Sequence, residues 1–184
     1  MESAKVCNPA PLGLMGFGMT TVLLNIHNAE LLPLNAAILM MGIFYGGIAQ
    51  VIAGIMEFRC GNTFGFTAFT SYGFFWLTLV GIIALNKAGL WVADGACMAA
   101  FLGVWGLFTA FLTIGTWKGP IALRVVFVSL TVLFALLVVE KATGNAAIGH
   151  VAGWEGIGCG LSAMYLGAAE ILNEKFGRVV MPIG

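Results

Sequence analysis

The sequence predicts an all-α integral membrane protein of six transmembrane helices with both termini in the cytoplasm. Three observations carry that expectation. Of 184 residues, 60% are hydrophobic and only 9% charged, where a soluble domain is about half apolar and a quarter charged; mean hydropathy is +1.01. Six apolar runs, at about 12–28, 34–58, 65–85, 91–114, 121–140 and 149–172, each supply the roughly 20 residues a bilayer core demands. The connections between them are short and hold the turn formers and most of the charges, leaving almost no residues for a soluble unit, so 1–184 is read as a single domain.

The first run opens at Asn8-Pro9-Ala10-Pro11-Leu12-Gly13-Leu14, where a polar tail becomes apolar. Proline is tolerated at the start of a helix, whose free N–H groups and positive dipole end attract anions. Without a strongly basic leader or an A-x-A site, this helix is expected to be retained. Along it Phe17, Thr20, Thr21 and Leu24 fall on one side at helical spacing. The second run carries Gly42 and Gly46 four apart and a lone amide, Gln50. In the third, Thr67, Ser71 and Thr78 form a row of hydroxyls beside Tyr72, with Phe74, Phe75 and Trp76 crowding the same region. The fourth repeats the small-residue spacing at Ala99 and Gly103. The sixth places Gly149, Gly153, Gly156, Gly160, Ala163 and Gly167 along one face, a stripe that lets helix backbones approach closely in lipid. Polar groups inside such helices must be satisfied internally or line a wet cavity. Hydroxyls, an amide and aromatics together fit a path for a small polar solute.

Cations set the orientation, since Lys and Arg accumulate on the cytoplasmic side. Lys5, Arg59, Lys118, Arg124, Lys175 and Arg178 fall on one side of the six runs, and Lys87 and Lys141 on the other. Among the carboxylates, Glu57, Glu140 and Glu170 lie near helix ends, where solvation is cheap. Glu155 lies one to two turns into the sixth run and reads as a group needing a partner or vestibule water, or as a proton-sensitive one.

Several function classes are excluded. Net charge is zero and no basic cluster exists, so nucleic acid is not an expected partner. Cys7, Cys60, Cys97 and Cys159 are scattered without a C-x-x-C pair, so no disulfide framework or metal site is indicated, and they read as small packing residues. The two histidines, His27 and His150, stand near helix ends; no nucleophile is paired with a base, and Gly156-x-Gly158-x-Gly160 lies inside an apolar helix rather than after a strand. Neither an enzyme nor a cofactor is expected.

The chain resembles the acetate uptake transporter family, and is similar to its bacterial succinate–acetate permeases along nearly its whole length. Asn8 to Leu14 stands as that family's NPAPLGL signature without a departure. Further agreeing blocks are Gly16 to Thr21, Phe44-Tyr45-Gly46-Gly47 with Gln50, Gly61 to Phe69, Ser71-Tyr72-Gly73 with Phe75-Trp76, Ser129 to Ala135, and Asn173-Glu174 through Gly184. The resemblance implies a homohexamer in the bacterial inner membrane, each protomer with its own pathway for acetate and in some members succinate. It implies a constriction at Phe17, Tyr72 and Leu130, a selectivity-influencing small residue at Ala163 and a cytoplasmic mouth at Asn8. Thr20, Thr21, Gln50 and Ser71 are the polar residues expected to meet substrate. A bare carboxylate squeezed through such a ring loses its water, which costs several kcal/mol without compensation. Transport is therefore expected to be proton-coupled, with channel-like passage as a variant. The alternative is a channel for a small neutral solute such as urea or a short amide.

Overall fold

The computed structural model describes residues 7–184; Lys5 lies outside the described residues. Helix α1 (Ala10–Asn28) starts behind Pro9 with Pro11 in its first turn, where the missing N–H would have had no helical acceptor. Asn35 caps α2 (Ala36–Met41) by accepting from the N–H groups of Ala37 and Ile38. The rod then passes through a π-helical stretch, Gly42–Ala49, into α3 (Gln50–Arg59). Asn62 caps α4 (Thr63–Lys87) and Asp94 caps α5 (Gly95–Gly115). Pro120 precedes α6 (Ile121–Thr143), which ends at Gly144 with φ 66°. Asn145 caps α7 (Ala146–Phe176). The fourth rod starts later than its apolar run, because Trp91 turns the chain at φ 47° and Asp94 supplies the cap.

Four rods, Ala36–Arg59, Thr63–Lys87, Gly95–Lys118 and Ile121–Thr143, are long and apolar enough to cross a membrane. Helices α1 and α7 dilute their apolar residues with glycine, threonine and asparagine, and the structure gives the reason: they pack closely along each other. A Cβ placed on Gly18 would stand 2.7 Å from the Gly160 carbonyl oxygen, and one on Gly160 2.7 Å from the Gly18 carbonyl oxygen. Gly153 and Gly156 face Ala29 and Asn25 in the same way. The glycine stripe of α7 thus packs helices within the protomer. Gly46 packs on Thr20 of α1 and Gly42 on Val80 of α4, also inside the bundle.

Alternation of the rods brings Asn8, Arg59, Cys60, Asn62 and Glu174 together at one end. The opposite end collects His27, Asn86, Asp94, Lys141 and His150. Arg59, at the end of α3, thus stands across the bundle from Lys141, as the charge pattern predicts. Val104, Leu107, Phe111 and Ile114 turn an apolar face of α5 outward. The cysteines depart from expectation: only Cys159 is buried, while Cys7, Cys60 and Cys97 sit exposed at rod ends, where there is no interior to pack against.

Candidate functional site: a vestibule over an aromatic ring

The end of the bundle opposite Asn8 opens into a cavity of about 620 Å³. Its rim is made by the C-terminal ends of α1, α4 and α6 and the N-terminal ends of α5 and α7. Glu30, Asp94 and Glu140 bring three carboxylates there against one ammonium, Lys141, together with Asn86, His27 and His150. Lys141 Nζ is 3.0 Å from Glu140 Oε2, so that cation is already neutralised. Asp94 accepts the Cys97 N–H at 2.7 Å, and this backbone donor holds its carboxyl below the usual carboxylate range. The rim is therefore net negative.

Deeper in, the lining becomes apolar: Trp76, Leu79, Leu133 and Phe134, then Phe17, Tyr72, Phe75 and Leu130. Phe17 and Tyr72 lie with ring centroids 5.9 Å apart. Tyr72 is braced from behind by Phe108 at 5.7 Å and by Phe127 and Trp105, both at 6.3 Å. Its hydroxyl is spent on Thr109 of α5 at 2.9 Å, which fixes the ring edge rather than offering a donor to the cavity. Phe17, Tyr72, Leu130 and Ala163 belong to one buried core. Two polar residues remain just above this floor. Thr21 lines the cavity with a buried hydroxyl that has no partner among the described residues. Asn25 donates to the Thr21 carbonyl at 2.9 Å and accepts from Asn28 at 3.0 Å.

Of the residues singled out from sequence, the structure brings Phe17, Thr21, Tyr72 and Leu130 to this cavity. Thr20 and Gln50 are fully buried elsewhere in the bundle, Thr20 within 3.4 Å of the Met41 carbonyl. Ala163 is fully buried in the same core as the ring and does not line the cavity. Ser71 is half-buried outside the cavity lining, and Thr78 is exposed, so the hydroxyl row of α4 turns away from Tyr72 instead of lining a path with it. Glu155 is half-buried in α7 with Oε2 unpartnered and does not line the cavity. Asn25, Trp76 and Phe134 were not singled out as site residues. Asn25 was within reach, one turn beyond Thr21 on the same face of α1.

Asn8 stands at the other end. Its Oδ1 accepts the Ala10 N–H at 3.0 Å and its Nδ2 donates to Glu170 Oε2 at 2.8 Å, so it caps α1 and ties that helix to α7. Asn8→Ala is expected to cost about 1 kcal/mol of stability, the size of a lost cap. Asn8→Asp is expected to cost more, because it sets a second carboxylate against Glu170. Thermal melts of the purified protein in detergent check the order; an aspartate variant as stable as wild type would mean the tie to Glu170 is idle.

The profile of the GPR1/FUN34/yaaH family matches residues 1–183. The chain is 60% identical over 185 residues to the succinate-acetate/proton symporter SatP of Escherichia coli K12, covering 100% of this chain and 98% of that one. It is 37% identical over 186 residues to ammonia transport outward protein 2 of Saccharomyces cerevisiae, covering 96% of this chain and 66% of the relative. Among solved structures, the bacterial acetate channel SatP superposes with a TM-score of 0.96 at 60% identity, covering 98% of this chain and 100% of the other.

Proposed function

The chain belongs to the GPR1/FUN34/yaaH family, and from that premise we propose that it carries small carboxylic acids across the bacterial plasma membrane, chiefly acetate with succinate as a second substrate, in the company of protons. One solved relative is named a channel and one curated relative a proton symporter. The vestibule favours the proton. Its net negative rim repels carboxylate anions, and Lys141, the one cation in its lining, is held by Glu140. At the floor a bare carboxylate would trade its water for Phe17, Tyr72 and Leu130 at a cost of several kcal/mol. The undissociated acid meets neither barrier: its methyl group fits the ring and its carboxyl lies beside Thr21 and Asn25. The aromatic floor beneath an acidic rim is the observation that carries this reading.

The proposed protomer has six transmembrane helices, α1 and α7 included, with both termini in the cytoplasm, so that Asn8 forms the inner mouth and the vestibule faces outward. The distribution of Arg59, Lys118, Arg124 and Lys175 against Lys87 and Lys141 supports that orientation. The outward apolar face of α5 suits lipid or neighbouring protomers of a homohexamer. Transport is proposed without chemistry on the substrate and without a cofactor.

Initial rates of radiolabelled acetate uptake into proteoliposomes, corrected by protein-free liposomes, test the coupling. Collapsing the pH gradient is expected to abolish accumulation, and collapsing the membrane potential to leave it unchanged. Uptake that followed the potential and ignored the pH gradient would replace the symporter with an anion channel. The name of the yeast relative favours a second reading, passage of a small neutral solute. Competition decides: unlabelled acetate and succinate displacing the label, with urea and short amides inert, excludes it.

A further inference from the structure

We propose that Glu57 is the inner proton-binding site of the transport cycle, a proposal that rests on the proton-coupled reading above. Glu57 lies in the last turns of α3 and is only 2% exposed. Its Oε2 accepts from Asn62 Nδ2 at 2.8 Å, and its Oε1 is buried with no partner among the described residues. The carboxyl is wedged against α4, where a Cβ on Gly65 would stand 2.8 Å from Glu57 Cδ. Glu57 also forms part of the wall of a second cavity, of about 570 Å³, shared with Asn8 and Pro9 of the opening signature.

A second observation points the same way. Gln50 lies seven residues earlier, two turns of helix, on the same buried face of α3, and neither its Oε1 nor its Nε2 has a partner among the described residues. A Cβ on Gly16 would stand 3.4 Å from Gln50 Cγ, so the amide lies beside the helical turn that presents Phe17. Leaving a buried polar group unpaired costs about 1–3 kcal/mol. Here such groups mark a line from the level of the ring to the inner mouth, over about 10 Å at the helical rise. The charged and titratable groups around the inner cavity are Arg59 and Cys60 at the end of α3, Cys7 before α1, and Glu174 of α7, with Glu170 of α7 joined through Asn8. Asn62, the cap of α4, adds an amide, and no residue within α4 lines this cavity among the described residues. Glu57 is the buried carboxylate of this set.

The step is a proton exchange. The O–H bond of the arriving carboxylic acid breaks, its proton passes to Glu57 Oε1, and the carboxylate leaves into the inner cavity. The new O–H bond on Glu57 then breaks toward cytoplasmic water, giving hydronium and restoring the glutamate anion. A neutral side chain at this position still passes the loaded form but does not return the discharged one.

Glu57→Gln keeps the volume and an acceptor for Asn62, so it separates proton transfer from architecture. In proteoliposomes, net acetate uptake driven by a pH gradient is expected to fall on the order of 100-fold, the size of a lost proton-transfer group. Exchange of labelled for unlabelled acetate at equal pH is expected to stay within about twofold of wild type, since no net proton moves. Glu57→Asp, which keeps a titratable carboxyl, is expected to retain part of the net uptake. Unchanged net uptake in Glu57→Gln overturns the proposal. So does an equal loss of both modes in a variant that elutes like wild type, which would make Glu57 structural. Wild-type uptake indifferent to the pH gradient overturns the coupled reading itself.

Discussion

Gly160→Leu is expected to leave no transport-competent protein. A Cβ on Gly160 would lie 2.7 Å from the Gly18 carbonyl oxygen and 2.8 and 2.9 Å from Val22 Cγ2 and N. Two of those three atoms are backbone of α1, which cannot turn aside as a side chain can. Overpacking a tight interior costs about 1–3 kcal/mol and occasionally more, and a leucine adds three further carbons to the clash. The same helix supplies its own control. Gly158 faces open space, with nothing within 4 Å of an added Cβ. Gly158→Ala is therefore expected to be neutral or stabilising by about 0.5–1 kcal/mol, the propensity difference between the two residues in a helix interior. Size-exclusion profiles and acetate uptake of the two variants check the pair. A Gly160→Leu protein that assembles and transports like wild type would mean that α1 and α7 do not depend on their close approach.

That contrast shows what a membrane sequence discloses about itself. The stripe of α7 was legible because small residues at alternating steps of three and four have one physical use, close helix contact. The caps at Asn35, Asn62, Asp94 and Asn145 obey residue chemistry, but apolar runs alone do not mark them, and the fourth run begins before Asp94. The facing of α4 was not legible. Both sides of that helix are apolar, one toward the bundle and one toward lipid, so hydrophobic periodicity has no phase to read. Sequence spacing places the row Thr67, Ser71, Thr78 beside Tyr72, whereas in the structure Thr78 is exposed, Thr67 and Ser71 are half-buried, and none of the three lines the cavity. Tyr72 itself illustrates a second limit. Its hydroxyl is held by Thr109, 37 residues away, a pairing that no local pattern announces. The π-helical stretch at Gly42–Ala49 is of the same kind. Such wide turns often accompany functional sites, and this one runs directly into the fully buried Gln50.

Leu130→Ala is expected to admit acids larger than acetate. Leu130 is 4% exposed and stands on the vestibule floor with Phe17 and Tyr72, in the same core as Ala163. Tyr72 cannot retreat to widen the passage, because Phe108, Phe127 and Trp105 surround it and Thr109 holds its hydroxyl. Leucine is thus the member of the ring whose truncation opens space without disturbing the rest. Discrimination by one methylene in an apolar site is worth about 1–3 kcal/mol, or roughly 10–200-fold. The ratio of lactate to acetate uptake is accordingly expected to rise by at least about tenfold, with acetate uptake itself changed little. Truncation of a buried leucine also costs about 2–5 kcal/mol of stability, so the melting temperature falls even as the substrate range widens. Those two effects in one variant distinguish a gate from a plain core residue, which would lose stability and leave the ratio alone. Initial rates for both acids in proteoliposomes at matched protein content measure it. An unchanged ratio in a folded, assembled protein would move the gate away from Leu130 and onto the Phe17 and Tyr72 pair.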